Sequence, residues 1–258
     1  MRIKALSAVA ILSATLATTL GAAKPQGYLA EGAFDLMQVL PPAPIAGDAR
    51  YKADRTIFKK TRKLIGTPRW QLATSDVKTD QRSLMADFSC AVGVALTPED
   101  APRTEALVAR ARADTSRQTN IAKDFYKRRR PFLIDHGKIC QPEAELADSY
   151  DYPSGHTTLG WTWALALSDL LPERATAILA RGRAYGDSRF ICGAHNESAV
   201  EAGKLSAGST MQVVRQTPAY QADAAAARAE LRRLTADPAT PRPTGCDVEA
   251  KLVAQRLL

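Results

Sequence analysis

The chain has 258 residues, of which 45% are hydrophobic and 24% charged, with a formal net charge of +8. That length and apolar fraction fit one globular domain, or at most two small ones, with a full core, and they exclude a chain that is disordered overall. Glycine and proline stand at 15 each, which excludes collagen-like and low-complexity classes, and beyond the N-terminus no run of 18 apolar residues offers a membrane span.

Arg2 and Lys4 open a short basic segment, Ala5 to Leu20 is an apolar run, and Gly21-Ala22-Ala23 supplies small residues. This pattern predicts a secretory signal peptide over 1–23, cut after Ala23, with an uncleaved anchor as the rival reading. Cleavage removes 23 residues and two bases, leaving 235 residues with a net charge of +6 as one helical domain, 24–258. Four cysteines remain: Cys90, Cys140, Cys192 and Cys246. Export permits two disulfides in any of three pairings, and free buried thiols are the alternative. The absence of a CxxC pair argues against a zinc ribbon or a redox motif.

Residues 24–60 read as irregular, because Leu40-Pro41-Pro42-Ala43-Pro44 interrupts regular structure. Thr97-Pro98-Glu99-Asp100 is a helix-start pattern, and a long helix is expected from about Ala101 to Arg129. Residues 132–153 read as a loop. Helices are then expected over Thr157–Leu171, from Pro172 to about Arg189, over Glu197–Val214 and over Pro218–Ala236, with a proline-rich loop at 237–245. The fold class is all-α, a single-domain helical bundle.

Three segments carry chemistry. In the first, Lys123 and Arg130 lie seven residues apart, so two helical turns would set both cations on one face, ahead of Pro131. Arg130 suits a bidentate grip on an oxyanion and Lys123 a point charge. Lys127, Arg128 and Arg129 between them read as solvated surface. The second is Pro153-Ser154-Gly155-His156, where a loop enters an apolar helix. Free N–H groups at a helix start attract anions, Gly155 permits close approach, and Ser154 adds a hydroxyl. His156 stands where it could donate a proton. The third runs from Ser188-Arg189 to His195, with Gly193 breaking two helices. Arg189 offers a third cation and His195 a nucleophile. Two of the three histidines fall in these segments, and the third, His136, reads as a surface residue.

In this order, KxxxxxxRP, PSGH and SRxxxxxH resemble the signature of the type 2 phosphatidic acid phosphatase superfamily, which includes bacterial acid phosphatases and vanadium haloperoxidases. Phe88-Ser-Cys-Ala-Val-Gly-Val94, Asp114-Thr-Ser-Arg-Gln-Thr119 and Ser188-Arg-Phe-Ile-Cys-Gly-Ala-His195 are similar to the class A bacterial non-specific acid phosphatases. The resemblance implies a helical bundle of the phosphatase/haloperoxidase type and an exported, periplasmic acid phosphatase. Lys123, Arg130, Arg189, Ser154 and the Gly155 amide would hold phosphate. His195 would become a phosphohistidine, and His156 would protonate the leaving alcohol. The implied partners are small phosphomonoesters and inorganic phosphate, with vanadate as a mimic. No cofactor, metal, nucleic acid or lasting membrane insertion is expected, and homo-oligomerisation stays open.

The chain departs from that pattern at one position. The family's HxxxD aspartate, which orients the histidine, is here Ala199. Glu197 and Glu201 sit at the wrong angles to replace it, and Ser198 brings no charge. An acid from elsewhere, such as Asp148, Asp151 or Asp187, remains open. Losing such a carboxylate costs about 10–100-fold, so the expectation is a slowed phosphatase that Ala199→Asp would accelerate. A phosphate-binding homologue without catalysis and a vanadate-dependent haloperoxidase are the competing readings.

Overall fold

The computed structural model describes residues 25–146 and 148–257, and the predicted signal peptide lies outside them. Among the described residues there are helices and no strands. The α-helices are α1 (Ala49–Thr61), α2 (Pro68–Ser75), α3 (Gln81–Val92), α4 (Pro102–Tyr126), α5 (Gly155–Leu170), α6 (Ala175–Cys192), α7 (Glu197–Val214), α8 (Pro218–Ala236) and α9 (Cys246–Val253).

Local chemistry accounts for several of the ends. Pro218 opens α8, and the Thr217 side chain accepts from the Tyr220 N–H. Thr97 caps only a turn, its Oγ1 accepting from the Asp100 N–H at 3.1 Å, and α4 starts at Pro102. Residues 24–60 are not wholly irregular, since α1 occupies their second half. It buries little beyond Asp54, Phe58 and Thr61, so it shows no apolar stripe.

The end of α4 departs from the sequence expectation in a way that matters. Lys127 turns left-handed (φ 46°) and closes the helix at Tyr126. Arg130, restricted by the following Pro131, is extended (φ −71°, ψ 154°). Lys123 and Arg130 therefore do not share a helical face. They reach the same place from a helix and from the strap that follows it.

At the centre is α5, packed against α4, α6, α7 and α8. Its Trp163, Ala164, Leu167 and Leu170 are fully buried, as befits a helix that is apolar nearly all round. Asp114 and Gln118 of α4 hold the N-terminal segment along that helix. Asp114 accepts from the Tyr28 N–H at 2.6 Å, and Gln118 bonds both Leu36 N–H and Phe34 carbonyl.

Two glycines set the approach to the site. A Cβ on Gly203 would lie 2.7 Å from the Ser154 carbonyl, so only glycine lets α7 pass so close to the start of α5. Gly193 (φ 80°) closes α6, and the Arg189 carbonyl then accepts from both Ala194 and His195 N–H groups. Of the three pairings open in the sequence, the structure has Cys90–Cys246 and Cys140–Cys192. The second ties the loop before α5 to the end of α6, three residues ahead of His195.

Candidate active site

The start of α5 organises the site. Ser154 is its N-cap, with Oγ accepting from the Thr157 N–H (3.3 Å) and the Thr157 hydroxyl (2.9 Å). With both lone pairs engaged, the Ser154 O–H is left to donate. The Gly155 amide, one of the unpaired N–H groups of the first turn, lies beside Lys123: a Cβ on Gly155 would stand 3.6 Å from Lys123 Cε.

Three cations converge there from three elements. Lys123, 8% exposed, donates to the Tyr150 carbonyl, and burial together with Arg130 pulls its pKa down to about 7. Arg130 donates from Nε to the Ser149 carbonyl (2.7 Å) and from Nη1 to the Ala194 carbonyl (2.8 Å). Burial holds it at about 10. Arg189 is fully buried and also brought down to about 10, while its Nε and Nη1 have no hydrogen-bond partner among the described residues. Buried donors without acceptors are rare and costly, so this cluster is built for an oxyanion. The neighbouring Ser188 serves structure instead. It accepts from Arg69 (3.0 Å) and donates to Asp76 (2.6 Å), which fixes α6 to α2.

His195 is 2% exposed, and its partners fix the tautomer. Nδ1 lies 2.7 Å from the Asp151 carbonyl oxygen and 3.1 Å from Asp151 Oδ1. Nε2 lies 3.0 Å from Arg130 Nη1. A carbonyl can only accept and a guanidinium can only donate, so Nδ1 carries the hydrogen and Nε2 presents a lone pair toward the cations. Burial and the charges of Arg130, Lys123 and Arg189 hold His195 neutral, its pKa well below the usual 6.5. Burial and Arg189 also hold the His156 pKa well below 6.5. Its Nε2 donates to the Val77 carbonyl at 3.0 Å. Beside it, a cleft of about 230 Å³ opens between α4 and α5, lined by Thr79, Arg112, Ser116, Asn120 and Gly155.

The structure thus brings Lys123, Arg130, Ser154, Gly155, His156, Arg189 and His195 to one locus. It also accounts for most of the side chains considered near His195. Asp187 pairs with Arg183 and Lys204, Glu201 pairs with Lys204, Asp148 is exposed, and Ser198 donates to Asp54. Asp151 alone among them touches the imidazole. Arg128, read from sequence as surface, is also corrected: its side chain is only 8% exposed and bridges Asp54 (2.7 Å) and Asp151 (3.3 Å). A charge run gives no sign of this, because the partner comes from α1. His136 is exposed, as expected.

A helix start, three buried cations and a histidine nitrogen bared toward them define an oxyanion site of the kind that phosphoryl transfer requires. The family model described as the PAP2 superfamily matches residues 106–222. An acid phosphatase of Zymomonas mobilis is 35% identical over 217 residues, covering 83% of this chain and 82% of that protein. A non-specific acid phosphatase of Salmonella typhimurium is 36% identical, covering 74% and 78%. One from Providencia stuartii is 33% identical, covering 90% and 99%. The chain belongs to the PAP2 superfamily and, within it, to the bacterial acid phosphatases.

Proposed function

We propose that this protein is an exported phosphomonoesterase that works through a phosphohistidine at His195. The observation that carries the reading is the Nε2 lone pair of His195 facing a buried cation cluster in which Arg189 Nε and Nη1 lack partners among the described residues. Phosphate oxygens would take up those donors, the Lys123 ammonium, the Ser154 hydroxyl and the Gly155 amide. Arg130 would turn its Nη1 from His195 to the phosphate, freeing the lone pair. Nε2 then attacks phosphorus while the bond to the alcohol oxygen breaks. The alkoxide takes a proton from His156 and leaves along the cleft beside it. With Nε2–H held by Val77, the exchanged proton sits on Nδ1. In the second step His156 takes a proton from water, the water oxygen attacks phosphorus, and the bond to Nε2 breaks. Phosphate and a neutral His195 result.

The charge requirements set the pH dependence. His156 must be protonated at the first step, and burial keeps its pKa well below 6.5. Activity is therefore greatest on the acid side and falls as pH rises through that lowered pKa, before neutrality is reached. Two disulfides fit an oxidising compartment, which supports export and the signal-peptide reading. No described helix is long and apolar enough to cross a membrane.

The test is p-nitrophenyl phosphate hydrolysis by the mature protein across acid to neutral pH, beside His195→Ala. Hydrolysis abolished in the variant, with inorganic phosphate still bound, is the expected result. A wild type that binds phosphate but releases no p-nitrophenol would favour the binding-only homologue that Ala199 suggests. Halide oxidation with added vanadate would favour the haloperoxidase.

A further inference from the structure

We propose that Asp151 is the positioning residue for His195, supplying from a different segment the carboxylate that Ala199 cannot provide. This rests on the phosphatase reading above. The contact has two parts. The main-chain carbonyl of Asp151, 2.7 Å from Nδ1, fixes the ring's tautomer and direction. Burial raises the pKa of the Asp151 carboxyl, against the pull of Arg128 and Asn196, and when ionised, with Oδ1 at 3.1 Å, it sets a negative charge against a ring that becomes cationic once Nε2 bonds phosphorus.

The carboxylate is itself held in place. Oδ1 accepts from the Asn196 N–H (3.0 Å), Oδ2 accepts from Asn196 Nδ2 (2.8 Å), and Arg128 Nη1 stands 3.3 Å from Oδ2. Arg128 reaches on to Asp54, which accepts from both the N–H and the hydroxyl of Ser198 at the start of α7. One chain of charges thus links α1, the strap after α4 and the first turn of α7 to the imidazole. Asp151 lies three residues before the N-cap Ser154, so one short segment supplies both the phosphate cradle and the group that aims the nucleophile. Position 199 has become something else. Ala199 is fully buried in an apolar cluster with Leu36, Ala122, Tyr152 and Ala202, and its carbonyl accepts from the Ser154 N–H at 2.9 Å. On this account the loss at Ala199 does not slow the enzyme, and the expected gain from Ala199→Asp disappears.

The test compares wild type, Asp151→Asn, Ala199→Asp and His195→Ala, all in oxidised form, by kcat on p-nitrophenyl phosphate, inhibition by inorganic phosphate, and melting temperature. Asp151→Asn keeps the main-chain carbonyl and loses the charge. Its kcat should fall about 10–100-fold, while the phosphate inhibition constant stays within about threefold. A kcat within about twofold of wild type overturns the proposal, and so does an equal change in kcat and phosphate affinity, which marks a merely structural role. Should Asp151→Asn fail to fold, Ala199→Asp decides: kcat at or below the wild-type value supports the proposal, and a gain of about tenfold overturns it. Failure of the underlying reading looks different, because wild type would then be inactive or His195→Ala would keep wild-type turnover.

Discussion

Replacing Lys123 with methionine should make the empty protein more stable while destroying its response to phosphate. Lys123 is 8% exposed, and burial with Arg130 nearby brings its ammonium from 10.5 to about 7. At about 1.4 kcal/mol per pKa unit, holding that ammonium destabilises the empty fold by roughly 5 kcal/mol. The sign follows from linkage: between about pH 7 and 10.5 the unfolded chain binds the proton that the folded one releases. The penalty is therefore complete below pH 7 and fades as pH rises toward 10.5. Methionine keeps the apolar stem but loses the charged bond to the Tyr150 carbonyl, worth about 1.5–3 kcal/mol. The net gain of about 2–3 kcal/mol corresponds to a melting temperature about 5–10 °C higher in a chain of this size. Thermal melts at pH 6, in buffer without phosphate and then with it, read both effects. Wild type should gain about 2.7 kcal/mol at a phosphate concentration 100 times Kd, and Lys123→Met far less. A variant that melts below wild type in phosphate-free buffer, or that keeps the wild-type phosphate shift, refutes the reasoning.

Two further predictions follow from the buried charges. Arg128→Ala leaves the buried carboxylates of Asp54 and Asp151 without their shared cation, so it should destabilise the fold by about 3–5 kcal/mol. A urea titration that finds less than about 1 kcal/mol would contradict the bridge. His156 is held neutral in the fold, so unfolded chains take up its proton first as pH drops below 6.5. Its contribution is complete above pH 6.5 and is lost below it by about 1.4 kcal/mol per pH unit. Half-buried carboxyls such as Asp87, raised to about 7, act with the opposite sign. The readout is therefore the difference in pH slope between wild type and His156→Asn, and equal slopes would exclude a His156 held neutral by the fold.

Where an element is set by its own residues, the sequence was enough. Helices α7 and α8 occupy the predicted spans because their ends are local: Thr217 and Pro218 start α8, and Gly193 separates α6 from α7. The start of α5 is legible for the same reason, since its N-cap Ser154 and the Gly155 and His156 that follow lie within one turn. What escaped notice depends on partners far along the chain. Helix α1 lacks an apolar stripe, and Arg128 needs Asp54 from that helix to be buried. The lysine- and arginine-rich end of α4 has every residue suited to a helix, yet Lys127 turns left-handed and delivers Arg130 from a strap. Asp151 was one of three acids the sequence left open. Only the approach of residues 149–152 to 194–196 picks it out, through contacts spanning more than forty residues.

The central claim is that phosphorus bonds to His195, and rapid mixing with phosphorus-labelled substrate followed by an alkaline quench tests it most directly, because phosphohistidine survives base. The account predicts label on the peptide that contains His195, formed within one turnover and missing from His195→Ala. Turnover without labelled protein, or label on any other residue, would contradict it.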